Sequence, residues 1–286
     1  MGLLENRIAV VTGAAAGLGR AYARALAREG AAVVVNDLAP VNDTVAEIEA
    51  DGGAAVANRA DVSTIEGGQS LLEAALNTFG AVDILVNNAG ILRDASLVNM
   101  QEAQWDAVLD VHLKGLFCAT KPIFSWMKAN GRGGVIVNTT STVALRGNFG
   151  QTNYSAAKCG VIGFSNSLAR EGEKYGVRVW NIGPAAATAL TAHMDDEYKR
   201  VFSIDRVAPA LIYMVSDLSG AQTGKTLLAG GGWIGEVRFE VHPGYTPSDT
   251  FDAHELARAV ADGKVMMPER SARFVTAYGP ADSGEA

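Results

Sequence analysis

Short runs of β-branched and apolar residues alternate with longer helix-like stretches, and this alternation constrains the fold more than any other feature. The candidate strands are Ile8–Val11, Ala32–Asn36, Ala55–Asn58, Ile84–Val86, Gly134–Asn138, Val177–Ile182 and Thr226–Ala229. They read as continuous apolar runs rather than alternating patterns, which marks a parallel sheet covered on both faces. Between them lie helix-like stretches at Leu18–Glu29, Thr44–Ala50, Ile65–Phe79, Glu102–Met127, Tyr154–Lys174 and Val207–Ser216. Strand–helix alternation sustained in this way predicts an α/β fold with one doubly wound parallel sheet.

The chain has 286 residues, enough for one large domain or two small ones. The rhythm runs to about Gly232, so residues 1–232 read as one domain. Residues 233–286 read as a C-terminal extension that packs on its own or a neighbouring subunit. Within the extension, Trp233–Val241 suits a strand, His242–Thr250 a loop and Asp252–Ala261 a short helix. Lys and Arg total 24 against 31 Asp and Glu, a net charge of −7, which argues against a nucleic-acid partner. Two cysteines, Cys118 and Cys159, cannot build a disulfide scaffold. Glu5, Asn6 and Arg7 interrupt any N-terminal apolar run, and no stretch is long and apolar enough to span a bilayer. The expectation is a cytoplasmic protein with no membrane partner.

Directly after the first strand comes Thr12-Gly13-Ala14-Ala15-Ala16-Gly17-Leu18-Gly19, and then a helix. Glycines let a backbone turn tightly and approach a pyrophosphate, while the helix offers free N–H groups and a positive dipole end. The spacing differs from the common Gly-x-Gly-x-x-Gly form, but its place between strand and helix is the one this Rossmann-like chemistry needs. Asp37 closes the second strand, about 20 residues on, where an acid can bind ribose hydroxyls. A carboxylate there would repel a 2′-phosphate, which favours NAD over NADP. The ordinary alternative is a turn or capping aspartate.

Tyr154 and Lys158 open a long helix at i and i+4 and share one face. A neighbouring ammonium favours the phenolate, so the pair suits general acid–base work near neutral pH. Alone, such a pair is more often a helix-surface contact. Ser141 ends the fifth strand, on the side of the sheet where open α/β folds bind ligands, though a serine there can equally cap a turn.

Taken together, the glycine turn, Asn87-Asn88-Ala89-Gly90 after the fourth strand, and Ser141 thirteen residues before Tyr154-x3-Lys158 resemble the short-chain dehydrogenase/reductase family over roughly residues 5 to 232. Gly19-Arg20-Ala21-Tyr22-Ala23, Ile91-Leu92-Arg93-Asp94, Val111-His112-Leu113-Lys114-Gly115 and Gly147-Asn148-Phe149-Gly150-Gln151 are similar to the hydroxyacyl-CoA dehydrogenase branch found in type 2 peroxisomal multifunctional enzymes. The resemblance implies that Tyr154 exchanges the substrate proton, Lys158 holds the nicotinamide ribose and lowers the tyrosine pKa, and Ser141 polarises the carbonyl. It implies a cofactor cradle of Gly13, Ala16, Gly17, Leu18 and Gly19, with Asp37 and Leu38 at the ribose and Asp61 and Val62 at the adenine. Asn88, Ala89 and Gly90 line the same site, with Pro184, Ala187 and Thr188 at the nicotinamide end.

Two positions depart from the family pattern. His112 stands where the family carries an asparagine in a proton relay; histidine can relay protons or be a satisfied buried residue. Pro184-Ala185-Ala186-Ala187-Thr188 replaces a Pro-Gly segment, with Ala189 at the usual threonine position and Thr188 or Thr191 as substitutes. The stretch Ala185–Ser203 lies where the family carries its lid. Leu190, Met194, Tyr198 and Phe202, with Val143, Leu145 and Phe149, suggest an apolar pocket or simply pack the lid. The expected activity is NAD-dependent oxidation of a secondary alcohol, with a 3-hydroxyacyl-CoA as first substrate. Arg93, Arg146, Lys199 and Arg200 are candidates for its phosphates. A hydroxysteroid or other cyclic alcohol is the alternative substrate. A non-catalytic nucleotide-binding regulator is the alternative of another class. Family members commonly form tetramers through the two long helices, so a homotetramer is expected.

Overall fold

The computed structural model describes residues 2–187, 196–239, 243–247 and 252–266. Its first 236 residues form one compact unit, Met1–Glu236, and the second is Val237–Ala286. The first unit is built as β1 (Ile8–Thr12), α1 (Gly17–Arg28), β2 (Ala32–Asn36), α2 (Asn42–Ala50), β3 (Ala55–Asn58), α3 (Ile65–Phe79) and β4 (Ile84–Asn87). It continues with α4 (Glu102–Leu109), α5 (Gly115–Asn130), β5 (Gly134–Thr139), α6 (Val143–Arg146), α7 (Thr152–Gly172) and β6 (Val177–Ala185). Next come α8 (Asp196–Val201), α9 (Ala208–Val215), β7 (Lys225–Gly230) and β8 (Trp233–Val237), whose last residue falls in the second unit. The second unit holds α10 (Ala253–Ala261), where Asp252 caps the helix by accepting from the Glu255 N–H at 2.8 Å.

The strand order is β3-β2-β1-β4-β5-β6-β7-β8, and β1 to β7 pair in parallel. Successive side chains of a strand face opposite sides, and here both sides are dry. Val11, Val33, Val35, Val86 and Val137 pack under α1 and α9 against Leu26 and Met214. Their alternates Val10, Val34, Leu85 and Ile136 pack under α3, α5 and α7 against Leu71, Ile123 and Leu168. Two cores sharing one sheet explain why the strands show no polar face in the sequence.

One strand departs from the parallel expectation. Gly231 and Gly232 alone separate β7 from β8, and both have positive φ. A two-residue loop joins only antiparallel neighbours, so β8 adds an antiparallel edge. The helix expected over Glu102–Met127 is also divided. A π-helical turn, Asp110–Lys114, separates α4 from α5 and carries His112. Such a turn inserts a residue into the helical phase and re-aims the side chains that follow, a change invisible to apolar periodicity.

Candidate active site

The strand order reverses between β1 and β4, which opens a crevice at their carboxyl ends. The glycine turn leaves β1 there. Gly13 and Gly17 have φ of 65° and 56°, and a Cβ at Gly13 would lie 2.7 Å from the Ala89 Cα. A Cβ at Gly19 would overlap the Gly13 carbonyl oxygen. Asn88 ties the turn to β4, donating to the Thr12 and Gly13 carbonyls at 3.0 and 3.1 Å. The Thr12 hydroxyl accepts from the Asn88 and Ala89 N–H groups at 3.0 and 3.1 Å. The start of α1 has no side-chain cap and no acidic residue in its first turn. Its N–H groups are therefore open to an anion, and the turn fits the pyrophosphate of a dinucleotide.

Asp37 is half-buried at the end of β2 and accepts from Ala15 N–H at 3.1 Å and Ala39 N–H at 3.0 Å. It thus braces the turn. Leu38 is 60% exposed and Val62 8% exposed, while Asp61 is exposed and caps its own loop through Ser63. Arg59, which the sequence reading missed, reaches back to donate to the Leu38 carbonyl at 2.9 Å. No spacing rule links residues 38 and 59; parallel pairing of β2 with β3 brings them together.

Lys158 is 3% exposed, and its ammonium donates to the Thr139 carbonyl at 2.6 Å. The Thr140 hydroxyl donates to the Lys158 carbonyl at 2.9 Å, so the end of β5 holds the lysine residue from both sides. The Lys158 Nζ lies 5.6 Å from the Tyr154 ring centre. Burial pushes this lysine down to about 7. The sequence reading expected Lys158 to lower the tyrosine pKa. In the chain itself Tyr154 is raised instead, first by burial and further by the Asp94 carboxylate, while its hydrogen bond with Ser141 acts the other way. Burial disfavours the phenolate, and it is the largest of the influences on Tyr154. The Ser141 hydroxyl also accepts from the Val143 N–H at 3.2 Å, so it both caps a turn and meets the phenol.

The His112 ring stands edge-on to Tyr154, with ring centres 5.2 Å apart. Its Nε2 lies 3.1 Å from the Ile91 nitrogen and 2.8 Å from the Ile91 oxygen. Burial and then the Lys158 charge push it down to about 3, against a backbone hydrogen bond that raises it, so it is neutral at physiological pH. Its Nδ1 and the Thr139 hydroxyl are buried without a partner among the described residues. Both residues line a cavity of about 10 Å³ together with Thr12, Asn87 and Lys158, room for about one water.

Asn153 and Gln151 anchor the start of α7 through contacts that spacing does not reveal. Asn153 is fully buried; it accepts from the Tyr154 N–H at 2.8 Å and donates to the Arg93 and Gln104 carbonyls at 3.0 and 3.2 Å. Gln151 donates to Asp94 at 2.8 Å. Pro184 lies near the end of β6 and Ala187 two residues beyond the strand, whereas Thr188, Ala189, Leu190, Thr191 and Met194 lie outside the described residues. Of the expected pocket side chains, Phe202 is 5% exposed and packs inward, while Phe149 is 90% exposed.

The short chain dehydrogenase family model matches residues 7–200. The chain is 44% identical over 243 residues to the peroxisomal hydratase-dehydrogenase-epimerase of Neurospora crassa, covering 84% of this chain and 27% of that protein. It is 40% identical over 248 residues to the peroxisomal multifunctional enzyme type 2 of Mus musculus, covering 82% of this chain and 33% of that protein. The chain thus spans between a quarter and a third of the length of these relatives. A crystal structure of a short chain dehydrogenase from Mycobacterium avium superposes with a TM-score of 0.85 at 36% identity, covering 94% of this chain and 98% of that one. With the glycine turn, the reversal of strand order and the Ser141, Tyr154 and Lys158 cluster all present, the chain belongs to the short-chain dehydrogenase family of oxidoreductases that use a nicotinamide dinucleotide.

Proposed function

We propose that the chain interconverts a secondary alcohol and a ketone with NAD, and that its first substrate class is a 3-hydroxyacyl-CoA. The observation that carries this reading is the convergence of Ser141, Tyr154 and Lys158 beside a turn suited to a pyrophosphate. The dinucleotide, when bound, accepts the hydride in oxidation and donates it in reduction. Tyr154 takes the alcohol proton in oxidation and returns it to the carbonyl oxygen in reduction. Ser141 donates a hydrogen bond to that oxygen and steers the substrate. Lys158 holds the nicotinamide ribose and, when charged, favours the phenolate. Asp37 accepts from the adenosine ribose hydroxyls, which underlies the choice of NAD, and Leu38, Asp61 and Val62 border the adenine.

The resemblance to the multifunctional-enzyme branch supports the acyl substrate. Lys199 and Arg200 pair with Asp196 and Glu197 on α8 at 3.6 and 3.9 Å, which leaves the exposed Arg93 and Arg146 as the better candidates for the CoA phosphates. The test is NADH formation with a panel of 3-hydroxyacyl thioesters, on CoA and on an acyl carrier protein, against cyclic alcohols including sterols. A clear preference for the thioesters is expected; preference for sterols would move the substrate to another class.

We propose that His112 takes part in proton relay as a neutral imidazole. His112→Asn should keep most of the turnover, because an amide can also bridge a donor and an acceptor. A collapse of turnover in a variant that still binds NAD would contradict the relay. We also propose a homotetramer joined through α4–α5 and α7, where Trp105 and Phe117 remain 36% and 43% exposed. Light scattering should then give four times the chain mass, and a single-chain mass would refute it. For location, we keep the cytoplasm as the proposal. The peroxisomal names of the relatives set the competing outcome, which imaging of the tagged chain against a peroxisomal marker decides.

A further inference from the structure

A row of polar side chains crosses the buried sheet, and its first member, Asn87, also donates to the Thr120 hydroxyl at 3.0 Å. The strand register sets Asn87 opposite Asn138, Asn138 opposite Asn181 and Asn181 opposite Thr226. Asn138, Asn181 and Ser165 are fully buried. The Asn87 amide donates to Asn138 at 2.9 Å, and the Asn138 amide donates to the Ser165 hydroxyl at 2.8 Å. The Ser165 hydroxyl oxygen lies 2.6 Å from the Asn181 side-chain Oδ1, and the Asn181 side-chain amide donates to the Thr226 hydroxyl at 3.1 Å. Ser165 is the point at which α7 enters this chain of bonds.

Ser165 follows Lys158 by seven residues and Tyr154 by eleven, so all three share one helical face. It lies about 10 Å along the helix from Lys158 and about 16 Å from Tyr154. Asn138 precedes Ser141 by three residues on the chain that leaves β5. The helix carrying the tyrosine and the strand that leads to the serine are therefore joined at two levels. One is the Lys158 contact with Thr139 and Thr140; the other is the Ser165–Asn138 bond.

We propose that Ser165 and Asn138 are positioning residues that lock the axial register of α7 on β5, and so hold the Tyr154 phenol against the Ser141 hydroxyl. The proposal rests on the reading of Tyr154 as the acid–base group. The Ser165 hydroxyl also lies 2.8 Å from the Val161 carbonyl of its own helix, so its contacts with Asn138 and Asn181 are the ones that tie α7 to the sheet. A slip of α7 would move Tyr154 away from Ser141, whose hydrogen bond favours the phenolate. The charged and titratable groups facing the phenol are Lys158 on its own helix, His112 from the π-helical turn and Asp94 from the loop after β4.

The experiment compares the full chain with Ser165→Ala and Ser165→Thr, saturated with NAD. The Tyr154 phenol is titrated by its phenolate absorbance, each protein being referenced to its own Tyr154→Phe counterpart. In Ser165→Ala the midpoint should rise by about half a pH unit. Its kcat should fall about 10- to 100-fold, the scale of a displacement of up to about 1 Å, with little change in the KM for NAD. Ser165→Thr keeps the hydroxyl and should restore both. Where the alanine variant folds poorly, Ser165→Cys keeps the shape, weakens the bonds and should give the same split. Ser219→Ala is the comparator: that hydroxyl is 1% exposed and bonds the Met214 and Ser216 carbonyls, away from α7. It should lower Tm without moving the midpoint. An unchanged midpoint in Ser165→Ala, or an equal shift in Ser219→Ala, overturns the proposal. Titration needs no substrate, so it stands apart from the acid–base reading, which fails separately if Tyr154→Phe retains turnover.

Discussion

Tyr154→Phe lowers turnover by about 10²- to 10⁴-fold, the usual contribution of a positioned acid–base group. The ring is only half-buried and keeps its place when the hydroxyl is removed, so folding and NAD affinity stay close to the parent. Burial raises this phenol above its ordinary value, and Lys158, pushed down to about 7, loses charge as pH climbs past neutrality. Oxidation needs the phenolate, so the parent's oxidation rate should rise with pH toward the raised tyrosine pKa. Reduction needs the phenol and should fall over the same range. Tyr154→Phe should remove this dependence from what activity remains. The checks are steady-state rates in both directions across pH and a separate NAD titration. Near-parental turnover in Tyr154→Phe would remove the tyrosine from the chemistry.

Asp37→Ala weakens NAD by about 10- to 100-fold, the cost of losing hydrogen bonds to a charged acceptor. It also relaxes discrimination against NADP. In the parent, a 2′-phosphate would face the Asp37 carboxylate at close quarters. Without that carboxylate, the Arg59 guanidinium, held at the Leu38 carbonyl, offers a cation beside the end of β2. Asp37 also accepts from the Ala15 and Ala39 N–H groups, so part of the loss reflects a looser turn. Asp37→Asn separates the two effects, because its carbonyl can still accept one of these bonds while the charge is gone. Fluorescence titration with both reduced dinucleotides measures the outcome. Unchanged selectivity in both variants would contradict the ribose assignment.

The strands were legible because residues of both parities point into an apolar core, which leaves unbroken runs such as Val33-Val34-Val35. The glycine turn, Ser141, Tyr154 and Lys158 were legible because each lies at a strand end or helix start that the alternation defines. What was hidden depends on partners distant in sequence. Asn87, Asn138 and Asn181 look like isolated polar strand residues until the register aligns them. Arg59 reaches the cofactor side only through the pairing of β2 and β3. The π-helical turn at Asp110–Lys114 keeps an apolar pattern, so nothing in it signals a change of helical phase. The direction of the tyrosine shift is not legible from spacing, because it is set first by burial, which spacing does not encode.

The most direct measurement follows the hydride itself. The chain is mixed with NAD and a 3-hydroxyacyl-CoA carrying deuterium at C3, and the dinucleotide is weighed by mass spectrometry. Transfer to one face of the nicotinamide, with NADH one mass unit heavier than the unlabelled control, a slower rate for the deuterated substrate and loss of the product in Tyr154→Phe, is the predicted result. Reduced dinucleotide without the label, or an equal yield from Tyr154→Phe, would contradict a mechanism in which this chain passes hydride directly while Tyr154 takes the proton.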